Sequence, residues 1–159
     1  MAIKTASGTR IWIGTAVDPD TVTLTSLKAI TTWTEIKKVE SFGDYGDESA
    51  AVEFSEVGRG RKEKAKGVRD AGTLALAVGL VQGDPGQLAM ILAEGSSSNY
   101  AFRIETPDGP TDDDDNTIEY FAGLVMSKKK NVGTSDNVLR RNFSIGINSE
   151  IFEELGHIV

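Results

Sequence analysis

Hydrophobic and polar positions alternate with a period of two along most of this chain, which predicts strands. In residues 9–16, TRIWIGTA, Ile11 and Ile13 oppose Arg10, Trp12 and Gly14, and the cluster Asp18, Pro19, Asp20 then ends the run. Residues 33–42, WTEIKKVESF, predict one strand with Ile36 and Phe42 on one face, Trp33 and Val39 on the other, and a bulge or two-sided burial between them. The alternation is sharpest over residues 73–80, where Leu74, Leu76, Val78 and Leu80 face one way and Thr73, Ala75, Ala77 and Gly79 the other. One side of that strand is core; the other is small and smooth. Residues 99–106 place Tyr100, Phe102 and Ile104 inward with Arg103 and Glu105 outward, and residues 117–127 and 138–147 supply two more strands, the last with Phe143, Ile145 and Ile147 in register.

Only residues 84–95, DPGQLAMILAEG, read firmly as helix. Asp84 is an N-cap, Pro85 takes the first helical position, Gly95 ends the helix, and Leu88, Ile91 and Leu92 make the apolar repeat. The C-terminal stretch 149–159 fits either a helix or a continued strand. No internal repeat is present. These elements predict a single domain over residues 1–159, mainly β, a sandwich or barrel with one flanking helix.

Residues 47–72 do not fit inside such a body, since they offer almost no core residue beyond Val52 and Phe54. Residues 57–72 hold Arg59, Arg61, Lys62, Lys64, Lys66 and Arg69, six of the chain's 17 Lys and Arg residues, in a protein of net charge −7. In an extended strand Lys62, Lys64 and Lys66 share one face, and the preceding AVEFSEV reads as the partner strand of a protruding hairpin. A two-stranded ribbon without a core is marginal alone in water and needs another surface to lie on. The acidic balance disfavours nucleic acid as that surface, because few aromatics or further basic patches accompany the arm. A second copy offers carboxylates at Asp44, Asp47, Glu48 and the run Asp112, Asp113, Asp114 and Asp115.

The chemistry of catalysis is sparse. The chain has no cysteine and one histidine, His157, near its C-terminus and without an evident partner. No nucleophile elbow, HExxH or Walker loop occurs, so the expectation is a protein that is not an enzyme and needs no cofactor or metal. Asp112 to Asp115 are the best candidates for a hard cation, yet four consecutive residues cannot all face one ion, and the preferred reading is a solvated hairpin tip. No run approaches the length of a membrane span, and the N-terminus lacks the apolar core of a signal peptide, so a chain made in the host cytoplasm with no membrane partner is expected.

The order of features is itself informative. A Trp-led strand into VESFGDYG, a long charged hairpin, KGVRDAGTLALAV, DPGQLAMILAE, YAFRIETPDG, YFAGLVMS and a closing alternating strand resemble the tail tube proteins of long, non-contractile-tailed phages. Inner tubes of contractile tails and the type VI secretion tube protein are the cousins this implies. The resemblance implies a β-barrel-like sandwich that closes into hexameric rings, stacked into a hollow tube of the virion tail for genome passage. It implies the tail terminator, tail tip and tape-measure proteins as partners, with DNA passing without specific binding. On this view residues 47–72 are the hairpin that reaches between rings, with residues 149–159 as an extension. Thr73, Ala75, Ala77, Glu105, Glu119, Asn142 and Ser144 are the candidate lumen residues; Arg103 would sit awkwardly among them. Lumens in this family are typically acidic, which keeps a sliding polyanion from sticking. The competing readings are a β-sandwich binding module for carbohydrate or calcium, using the loop from Thr106 to Thr117, and a nucleic-acid-binding protein acting through Arg59 to Arg69.

Overall fold

The computed structural model describes residues 3–110 and 116–156, so Asp112 to Asp115 and His157 lie outside the described residues. Strand β1 (Arg10–Ala16) leads into a short helix α1 (Leu24–Lys28), then β2 (Thr34–Ile36) and β3 (Val39–Phe42). The strands β4 (Glu48–Ser55) and β5 (Lys62–Asp70) form the predicted hairpin, and β6 (Thr73–Gly79) re-enters the body. Helix α2 (Pro85–Glu94), β7 (Tyr100–Thr106), β8 (Thr117–Asn131), β9 (Arg140–Ile147) and β10 (Phe152–Glu154) complete the chain.

The body is one antiparallel sheet in the order β2-β1-β7-β8-β9-β6-β3, with β10 added beside β8. Its two outermost strands, β2 and β3, are consecutive in sequence and separated only by Lys37 and Lys38. A three-residue step from Ile36 to Val39 spans at most about 11 Å, so the sheet must curl until its edges nearly meet. Residues 33–42 therefore form two strands on opposite edges, not the single strand that their pattern predicts. The break is at Lys38, whose φ of 61° turns the chain through the left-handed region.

Helix α2 seals this seam. Asp84 accepts from the Gln87 N–H at its own N-terminus (3.0 Å) and from the Lys37 N–H (3.3 Å). Gln87 is buried and fully used: its Nε2 donates to the carbonyls of Lys37 (3.2 Å) and Gly79 (2.9 Å), and its Oε1 accepts from the Val81 N–H (3.1 Å). Gly86 lets the helix approach so closely that a Cβ there would stand 2.2 Å from the Glu35 carbonyl oxygen. The face that α2 turns inward is thus Gly86, Gln87, Met90 and Ala93, while Leu88 and Leu92 are 48% and 75% exposed. The apolar repeat correctly signals a helix but lies mostly on its outer side; of the three, Ile91 alone packs against the core.

Met90 and Ala93 join Ile11, Ile13, Leu74, Leu76, Val78, Phe102, Phe121, Phe143 and Ile145 in the main core, where Phe102 and Phe121 stack at 5.5 Å. A second cluster covers the outer face of β7 and β8, with Leu27 of α1, Ala101 and Tyr120 buried beneath Trp33 and Phe152. α1 is held by a reciprocal cap between Thr23 and Ser26. The C-terminal stretch resolves as strand at β10, where Phe152 lies opposite Tyr120 and Glu154 pairs with Lys28 at 2.9 Å.

Candidate assembly surfaces

The hairpin β4–β5 pairs only with itself and forms a separate two-stranded sheet. Apart from Ser49 and Gly67, each of its strand residues is exposed. Its reversal is made by the amides of Arg59 and Gly60, both bonded to the Glu56 carbonyl, with Gly60 at φ 61° where a side chain would be strained. The register sets Ser55 opposite Lys62, Glu53 opposite Lys64 and Ala51 opposite Lys66, so these six share one face. Val52 opposite Ala65 and Phe54 opposite Glu63 make the other, with Val52 54% and Phe54 64% exposed. The ribbon is basic on one side and apolar on the other.

Part of the arm's charge is neutralised within it. Arg59 pairs with Glu56 and Glu63, Lys62 with Glu53 at 3.3 Å, and Arg69 with Asp47 at 2.9 Å. Among the described residues Arg61, Lys64 and Lys66 join no ion pair. Since exposed pairs contribute little, none of these fixes the arm strongly. Its root is tied more firmly: Tyr45 packs on the core and donates from its hydroxyl to Glu119 Oε1 at 2.8 Å. Burial pushes the Tyr45 hydroxyl and the Glu119 carboxyl above their ordinary values.

The second surface is the outer face of β6 and β9. The register places Ala75 opposite Ser144 and Ala77 opposite Asn142, with Thr73 opposite Gly146, and β8 adds Ser127 beside Ser144. Five of the seven candidate lumen residues therefore form one smooth, contiguous face. The other two stand elsewhere. Glu119 lies opposite Ile104, on the inward side with Phe121, so it is not an outward residue as its place in the sequence suggests. Glu105 is on the outer face of β7, half-buried and accepting from Asn116 at 3.0 Å. Arg103 is taken up between indoles, its guanidinium carbon 4.1 Å from the Trp12 ring centre and 5.2 Å from that of Trp33.

Within the loop between β7 and β8, Asp108 is also committed: it accepts from the Thr117 N–H (2.8 Å) and hydroxyl (2.7 Å). Partial desolvation works against these bonds, yet they hold its carboxyl below the usual range. Among the described residues no group of three His, Asp or Glu side chains is arranged to hold a metal ion.

No protein-family model matches the chain, and no curated protein matches it by sequence. Solved structures do. The SPP1 tail tube superposes with a TM-score of 0.64 at 12% identity, covering 95% of this chain and 78% of its own. A chain of the sheath/tube terminator of an extracellular contractile injection system gives 0.69 at 9% identity, covering 97% and 98%, and one from the tail of an empty gene transfer agent particle gives 0.62 at 16%, covering 96% and 99%. This chain has the tail tube fold. The likeness extends over nearly the whole chain, so arm, sheet and flanking helix are all parts of a tail tube fold and not additions to some other sandwich.

Sequence reasoning finds the arm and the smooth sheet face, and misses three features of this tail tube fold. The repeat of Leu88, Ile91 and Leu92 marks the helix but not that Leu88 and Leu92 are exposed, because period alone does not tell which side a stripe faces. The Tyr45–Glu119 bond joins residues 74 positions apart. Gln87 looks like an ordinary helix polar residue, although Asp84 three positions earlier marks the helix start beside it.

Proposed function

We propose that the chain is a structural subunit which assembles with copies of itself into stacked hexameric rings, forming the tail tube of a virion and the conduit for its genome. The observation that carries this reading is the arm: a two-faced ribbon with no core of its own, projecting from a body with the tail tube fold. Such a ribbon gains stability only by covering another surface, and the same fold forms the tail tube of SPP1 and occurs in the gene transfer agent tail, whose structure has six-fold symmetry.

In this assembly Thr73, Ala75, Ala77, Asn142 and Ser144 face the channel. Their side chains are small and uncharged and give DNA little to hold; the cations on this face stand at its end, Lys129 opposite Asn142 and Arg140 paired with Glu40. This shifts the argument from the acidic lumen that the resemblance implies: Glu105 and Glu119 are held by Asn116 and Tyr45 and are not part of this face. Terminator, tip and tape-measure proteins are the partners at the tube's ends and along its interior. The chain itself performs no reaction.

Electron microscopy of the purified protein over a range of concentrations tests the proposal. Rings or hollow rods that lengthen with concentration are expected; dispersed monomers at millimolar concentration would overturn it.

A further inference from the structure

Resting on that assembly reading, we propose that the lysine face of the arm docks into an acidic cleft at the arm root of a second copy of this chain.

The cleft has a volume of about 670 Å³ and opens where the arm leaves the body. Pro19 and Asp20 of the turn after β1, Asp47, Arg69 and Asp70 of the arm root, and Glu150 of the β9–β10 turn line it. Four carboxylates therefore meet one guanidinium, and that guanidinium is bonded to Asp47 at 2.9 Å. Asp70 accepts only the Gly72 N–H, and among the described residues neither Asp20 nor Glu150 joins an ion pair. All four carboxylates are exposed.

The arm carries the matching charge. Its lysine face presents Lys62, Lys64 and Lys66 against the single carboxylate of Glu53. Within one copy the lysine face meets only the rim of its own cleft: Lys64 and Lys66 share a groove with Asp47, but Lys66, Lys64 and Lys62 stand four, six and eight residues from Asp70 along β5, about 13, 20 and 26 Å at the rise of an extended strand. The occupant must come from another copy.

Donor face and acceptor cleft thus lie at opposite ends of one element, so each copy gives the contact at its tip and receives it at its base. Such a contact is heterologous, so it passes from copy to copy, closing into a ring or running on as a filament, instead of closing into a pair. Complementary charge sets the register of this docking and speeds the encounter more than it deepens the affinity.

The test compares four proteins at equal concentration: the wild type; an arm variant with Lys62→Glu, Lys64→Glu and Lys66→Glu; a cleft variant with Asp20→Lys and Glu150→Lys; and a chain carrying both sets. All the altered residues are exposed, and thermal melting of each protein checks its fold. Each single set is expected to raise the concentration needed for rods at least tenfold, and the combined chain to restore rods by re-pairing the reversed charges. A wild type that stays monomeric overturns the assembly reading itself. A wild type that forms rods beside a cleft variant that forms them equally well, or a combined chain no better than either set alone, overturns the docking and leaves the assembly reading standing. Zero-length carbodiimide coupling of wild-type rods, mixed from isotopically heavy and light copies, gives an answer that needs no variant. Heavy-to-light links from Lys62, Lys64 or Lys66 to Asp20, Asp47, Asp70 or Glu150 support the docking, and links from these lysines only to carboxylates outside the cleft refute it.

Discussion

Glu119 and Glu153 stand directly opposite one another where β10 joins β8, a like-charge pair in the middle of a three-residue strand contact. Burial is the main reason the Glu119 carboxyl lies above its ordinary value of 4.5; the Tyr45 hydroxyl bond pulls the other way, and Glu153 and Asp108 add to the upward push. Around it stand Tyr45 from the arm root, Ile104 from β7 and Glu153 from β10, with Asp108 farther off, so no cation is among the groups that set its titration. The folded protein accordingly holds this proton more tightly than the unfolded chain. The stabilisation it brings is complete below pH 4.5 and is lost as pH rises through the higher folded value.

Glu119→Gln is expected to stabilise the protein at pH 7, by up to about 1 kcal/mol as judged from cross-strand charge pairs. The gain over wild type should shrink as pH falls through the raised folded value and be gone below 4.5, because the wild-type carboxyl is then neutral too. Thermal melts of both proteins from pH 4 to pH 8 measure the difference. A gap independent of pH would show that repulsion at β10 is not its source.

The seal at the seam predicts large losses from small changes. Gln87→Leu takes away the partner of two part-buried carbonyls and one amide, which costs about 2–4 kcal/mol. Gly86→Ala drives a methyl into the Glu35 carbonyl and forces the helix off the seam, costing about 3 kcal/mol or more. Urea midpoints of the two variants are the measurement.

The two sides of α2 should respond in opposite ways. Met90→Ala empties a fully buried site and should cost about 2–5 kcal/mol, whereas Leu92→Gln alters a residue 75% exposed and should stay within about 0.5 kcal/mol. Equal losses at both positions would contradict the observed orientation.

Because the arm belongs to no core, replacing residues 48–70 with a short Gly-Ser link should leave the monomer's urea midpoint nearly unchanged while abolishing rods. Closing a loop of different length changes the chain entropy by only about 0.6 kcal/mol per doubling. A deletion that unfolds the body would show the arm to be part of it.

Much of this architecture is visible in the pattern of residues, and the failures have physical causes. Residues 73–79 announce themselves because one face needs volume and the other is bare, and the caps of α2 are local chemistry written in Asp84, Pro85 and Gly95. The reversal at Lys38 is illegible, since lysine in a left-handed conformation carries no mark and closure of the sheet demands it there. Five-residue α1 is too short for periodicity, though Thr23 and Ser26 form its cap. Glu119 misleads because a carboxylate inside the barrel makes sense only beside Tyr45, a partner far away in sequence.

The two-residue link between β2 and β3 bears on how the wall of such a tube would carry force. A sheet with free outer strands peels one hydrogen bond at a time when pulled sideways. Here the outermost strands are tethered to each other, so tension around the circumference cannot open the subunit like a zip. It must shear whole ladders at once, with the peptide chain acting as the hoop. A tube built from these units would yield at the contacts between subunits long before any subunit opened.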